Sequence, residues 1–175
     1  MPNDPAPGFD LGALHAALEA QRTSRGMSWQ QVARAISATF ARTPARPISA
    51  STLSGLRNRS AAEGDGILQM LRWLQRTPES FVPGLAEPDD GSGTLPDAGV
   101  RQILRFDTRK LFSALDAQRA GRRLTWRQVA DEIGGIGASN LAQLSKGGRT
   151  GFPHVMRITR WLGRPAADFV RAFDR

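Results

Sequence analysis

The chain contains no cysteine, only two histidines and, among its 24 basic residues, only two lysines, Lys110 and Lys146. Without cysteine there is no disulfide framework, no thiolate metal site and no cysteine nucleophile. His15 and His154 stand far apart, each without another candidate ligand at helical spacing, so no metal is expected. No run approaches the roughly 18 consecutive apolar residues of a membrane span. The opening MPNDPAPGFD has neither a basic segment nor an apolar one, so no secretory signal is expected. There is no Gly-rich phosphate cradle, no Ser–His–acid arrangement and no pair of carboxylates on one inward face, and the reading is that the chain is not an enzyme. What is present is 175 residues with a net charge of +8, 40% hydrophobic and 23% charged. That is the composition of a globular protein. A basic excess favours a polyanionic partner, and a cytoplasmic location is expected.

The chain is a duplication. Residues 9–36, FDLGALHAALEAQRTSRGMSWQQVARAI, align without gaps on residues 106–133, FDTRKLFSALDAQRAGRRLTWRQVADEI, with 14 of 28 positions identical. Once nine extra residues in the first copy are skipped, Ile48, Leu53 and Leu56 match Ile136, Leu141 and Leu144. The register then holds through Trp73-Leu74 and Trp161-Leu162 to Phe81-Val82 and Phe169-Val170.

Between the copies lies a stretch rich in Pro, Gly and Asp with no apolar period, which reads as a flexible acidic linker. The expected division is 1–84, a linker over 85–100, and 101–175. Charge follows it: net +3, −4 and +9 respectively. As a flexible coil this linker with its flanks, about 22 residues, spans roughly 26 Å.

Each copy reads as helices only, making an all-α chain. Leu11, Leu14 and Leu18 recur at helical spacing, as do Leu111 and Leu115. The second helix of each copy opens on a capping box, Ser28-x-x-Gln31 and Thr125-x-x-Gln128. A short third helix carries Leu53 and Leu56, or Leu141 and Leu144, and a fourth carries Ile67, Met70 and Leu74, or Val155, Ile158 and Leu162. A fifth short helix is expected to start at Pro78 and at Pro165, with Phe81 and Phe169 closing the core.

In the second copy TWRQVADEI runs through GGIG into ASNLAQLSKG. Two helices joined by a Gly-containing turn of three or four residues form a helix-turn-helix. The first helix can present its N-terminal N–H groups to a phosphate, and the second fits the major groove. TWRQVADEIGGIGASNLAQLSKGGR resembles the Cro and phage-repressor class of helix-turn-helix proteins, the XRE-type regulators. A degenerate partner, SWQQVARAI followed by ISASTLSGLRNR, resembles it too. The resemblance covers almost all of both copies. Tryptophan stands where many members carry glutamine.

The resemblance implies two tandem five-helix phage-repressor-like domains in a bacterial or phage regulator of transcription that binds double-stranded DNA. It requires no cofactor or small-molecule ligand and leaves a homodimer open. The base-reading positions it implies are Ala138, Ser139 and Gln143. Gln143 can hold adenine by two hydrogen bonds, whereas Ala138 offers only a methyl contact. Implied phosphate contacts are Thr125 and Trp126 at the start of the helix and Asn140 near the backbone. Trp126 has a second role open to it, packing within its own unit. Lys146 and Arg149 follow the third helix as phosphate clamps, with Arg127 a weaker candidate.

The first copy departs from the pattern. Its turn is nine residues too long, and Gly55 stands where the second copy has Gln143. Glycine supplies no reading arm and weakens a helix. Ser28, Trp29, Ser51, Thr52, Arg57, Asn58 and Arg59, with Arg42 and Arg46 from the insertion at 38–47, are its candidate DNA contacts. The insertion itself reads as a surface loop. An alternative for the whole chain is a protein-interaction module, an antitoxin or adaptor whose units have partly lost DNA.

Overall fold

The computed structural model describes residues 8–59, 64–85, 91 and 93–174. The first copy contains α1 (Leu11–Ser24), α2 (Trp29–Ala38), α3 (Ala50–Ser54) and α4 (Gly64–Leu74). The second contains α5 (Thr108–Gly121), α6 (Trp126–Ile133), α7 (Ala138–Gln143) and α8 (Phe152–Leu162). Both third helices run on into a 3-10 turn, Leu56–Asn58 and Leu144–Lys146.

Local signals set the helix starts. Asp10 and Asp107 accept from the backbone N–H of Ala13 and Lys110, at 2.9 and 3.0 Å. Both capping boxes close, with Ser28 and Thr125 each accepting at 3.2 Å from the glutamine backbone three residues on. The glutamine side chains return bonds of 2.7 and 2.8 Å. The expected core leucines, together with Phe81 and Phe169, are buried.

Two expectations need correction. The fifth element of each copy is not an α-helix but a single 3-10 turn, Pro78–Phe81 and Ala166–Phe169, and Pro165 sits just before its turn. The chain is also not wholly helical. β1 (Gln102–Phe106) pairs antiparallel with β2 (Val170–Asp174), Phe106 opposite Val170 and Gln102 opposite Asp174. The equivalent segments of the first copy read PAPGF, with two prolines, and VPGLA, with one. Proline has no N–H to give a ladder, so those sequences are poor strands.

The two copies share one hydrophobic core instead of standing apart on a tether. Phe9 of the first copy meets Phe152 of the second at 4.5 Å between ring centroids, and Phe152 meets Phe106 at 5.4 Å. α4 lies so close to β1 that a Cβ at Gly64 would come within 3.0 Å of the Phe106 ring. Polar bonds cross the same junction. The Gln69 amide donates to the Leu104 carbonyl at 2.8 Å, and the Ala166 N–H donates to the buried Glu79 carboxylate at 2.6 Å. The Arg72 guanidinium donates to the carbonyls of Gln102 and Ala98. The Arg42 N–H donates to the Val100 carbonyl at 3.1 Å, so the end of the connecting segment is tied to both its flanks. Residues 86–90 and 92 of that segment lie outside the described residues.

Candidate nucleic-acid interface

α6 turns Val129, Ala130 and Ile133 into the core and stops at Gly134. Gly134 has φ +73° and Gly135 φ +70°, a region open to glycine and strained for other residues. The Gly134 N–H still bonds back to the Ala130 carbonyl at 2.9 Å. Ile136 is then buried, and the Gly137 carbonyl accepts the first bonds of α7, from Asn140 at 3.0 Å and Leu141 at 3.2 Å.

α7 buries a single residue, Leu141, and Leu144 follows it into the core. The rest of the helix therefore faces outward. Ser139, Asn140 and Gln143 are exposed, whereas Ala138 is half-buried against the core and offers less of its methyl than the pattern implies. Thr125, Arg127, Lys146 and Arg149 are exposed. The Thr125 hydroxyl is engaged in its capping box. Trp126 is half-buried and stacks on Phe112 of α5 at 5.3 Å and 22°, with the Arg119 guanidinium 4.8 Å over its ring. Its packing role is thus filled.

Several residues that position this motif carry no sequence signature of their own. Arg157 of α8 lies against the turn, where a Cβ on Gly135 would come within 3.1 Å of its guanidinium. Arg109 lies over the loop after α7, 2.7 Å from where a Cβ on Gly147 would stand. Thr108 donates to the Gly148 carbonyl of the same loop at 3.1 Å. Glu132 joins three helices: it accepts from the Trp161 indole at 2.8 Å and from both Arg122 nitrogens at 2.7 and 3.0 Å. The Arg122 guanidinium, then the indole N–H, hold the Glu132 carboxyl below the usual carboxylate range.

The first copy differs where its sequence differs. Ser37 and Ala38 replace the two glycines, so α2 continues to Ala38. The insertion is not merely a surface loop, because Phe40 is 2% exposed and anchors it in the core. Ser49 caps α3, and its hydroxyl also bonds those of Ser51 at 3.0 Å and Thr52 at 2.8 Å. Those two candidate contacts are therefore engaged within their own helix. Gly55, the C-cap of α3, stands in the place of Gln143, the last residue of α7, and has no side chain to offer. Ser28 is exposed in its capping box, and Trp29 is half-buried under His15 and Arg22. Arg42, Arg46, Arg57, Asn58 and Arg59 are exposed.

Arg46 and Arg59 meet Arg149 of the second copy, and Arg105 of β1, around one groove between the copies. Among the described residues no helix is long and apolar enough to cross a membrane. No family model matches the chain, and no characterised protein or solved structure resembles it at a significant level.

Proposed function

We propose that this chain is a sequence-specific, double-stranded DNA-binding regulator of transcription, non-enzymatic and acting in the nucleoid, with α7 as its recognition helix. The observation that carries the reading is the α6–turn–α7 unit. Two glycines at positive φ set the angle, and a helix anchored by Leu141 alone leaves Ser139, Asn140 and Gln143 facing out. In this reading each copy is one phage-repressor-like unit, and the second reads bases. Gln143 holds an adenine edge, while Asn140, Lys146, Arg127 and Arg149 contact phosphates. Because the copies share a core, their separation on DNA is set by packing and not by a linker. The two halves differ, so the preferred site is asymmetric.

The first copy supports a second role. With Ser51 and Thr52 held by Ser49 and with Gly55 supplying no side chain, it acts as a phosphate clamp or a protein-contact surface more readily than as a base reader. The test is binding of the full chain to random duplex DNA at two salt concentrations. Affinity that falls steeply with salt is expected, since each neutralised phosphate adds about 0.9 to the logarithmic slope. Absence of binding at low salt would overturn the reading.

A further inference from the structure

The groove between the copies has a volume of about 720 Å3. Its walls come from the insertion, α3, the first turn of α4, β1 and the loop after α7. Four arginines line it, Arg46, Arg59, Arg105 and Arg149, against a single acid among the described residues, Asp65. Asp65 lies 3.3 Å from Arg105 and offsets that charge. Arg46 and Arg59 are exposed, and no carboxylate among the described residues pairs with them. Gly66, in the first turn of the 11-residue α4, also lines the groove, and a Cβ there would meet nothing within 4 Å. Pro44, Pro47 and Ile48 form the wall beside Arg46 and offer flat apolar surface.

The planar guanidinium fork suits anions that accept two parallel hydrogen bonds, such as phosphate. A volume of several hundred Å3 with an apolar wall is that of a small-molecule site and not of a single-ion site. We infer that this groove binds a nucleotide, its phosphates held by Arg46 and Arg59 and its base resting on Pro44 and Pro47. The site is independent of base reading by α7. It explains why the insertion is held by a core phenylalanine, Phe40, instead of hanging free.

The test is calorimetric titration of the full chain, without DNA, with adenosine triphosphate, guanosine triphosphate and inorganic pyrophosphate. Saturable one-to-one binding of a nucleotide is expected. Arg46→Glu and Arg59→Glu should each weaken it at least about tenfold, as loss of a charge-assisted bond does. Arg34→Glu, on the exposed face of α2, should leave it unchanged. Circular dichroism of the three variants checks that the fold is kept. Pyrophosphate binding as tightly as either nucleotide would overturn the nucleotide assignment. So would nucleotide binding undiminished in Arg46→Glu, or no binding of any probe. If the probes do not bind but Arg46→Glu loses random duplex DNA, the groove is a DNA-backbone contact instead.

Discussion

The two copies are internal controls for one another. Arg22 and Arg119 each pair with an acid one turn earlier, each donate at 2.9 Å to the carbonyl five residues on, and each cover a tryptophan. Gln21 and Gln118 each reach the carbonyl of the paired tryptophan on the fourth helix, at 3.4 and 3.1 Å. Arg76 and Arg164 each cover the closing phenylalanine. Features present in both copies hold the unit together. Features present in one copy alone are the glycine turn, Gln143, Glu132 and the second copy's sheet, against the insertion of the first. Retained bonds describe a common scaffold, and the divergent residues are where the two units took different work.

The comparison breaks most sharply where the units meet. Phe152 is fully buried between Phe9 and Phe106, so Phe152→Ala should cost about 3–5 kcal/mol. Denaturant unfolding followed by tryptophan fluorescence should show one earlier transition for the whole chain. Two separated transitions would mean that the copies fold independently. Cutting the chain between the copies would expose this core, so tests of division of labour belong in the intact protein.

Reading is the next largest difference. Gln143→Ala should cost about 1–3 kcal/mol on the best site and relax preference at one base pair. Thr52→Val in the first copy should change affinity by less than about 0.5 kcal/mol, because its hydroxyl is already engaged by Ser49. The caps should not distinguish the copies: Ser28→Ala and Thr125→Ala should each lower stability by about 1 kcal/mol in thermal unfolding. A marked inequality would show that one unit has stopped depending on its scaffold.

Lys146→Ala should weaken every sequence alike and reduce the salt slope by about one. The smallest effect is the pH dependence carried by Glu132 of the second copy. The Glu132 carboxyl is held below its ordinary value in the fold. The stability it adds is therefore present above the unfolded carboxylate range, near about 4.3, and lost as pH falls through the lower folded value. Glu132→Gln should flatten the acid limb of the single unfolding transition. Ala35 stands at the equivalent place in the first copy, which has no carboxylate there.

Helices, caps, leucine core and turn were legible because each depends on residues three or four apart. The sheet was not, because Gln102 finds Asp174 across the whole second copy, and five residues with mixed burial show no clean alternation. The shared core was not legible either. A Pro/Gly/Asp stretch reads as a tether whether or not its ends are tied, and the ties at Ala98 and Val100 use backbone carbonyls that any residue supplies. Phe40 was the one available sign that the insertion has an inside, a lone aromatic among small and polar residues. Arg157 and Arg109 looked like two more arginines in a chain with 24 basic residues, and only their approach to Gly135 and Gly147 distinguishes them. Gln143 was legible only through the resemblance, which sets base-reading positions at Ala138, Ser139 and Gln143.

The central claim is that α7 reads bases through Gln143 while the first copy does not. Selection of duplexes from a randomised pool by the full chain, run beside Gln143→Ala, tests it most directly. The account predicts one asymmetric enriched site for the parent chain and, for the variant, the same site with preference lost at a single adenine-containing pair. No enrichment by the parent chain, or an identical site from both proteins, would contradict it.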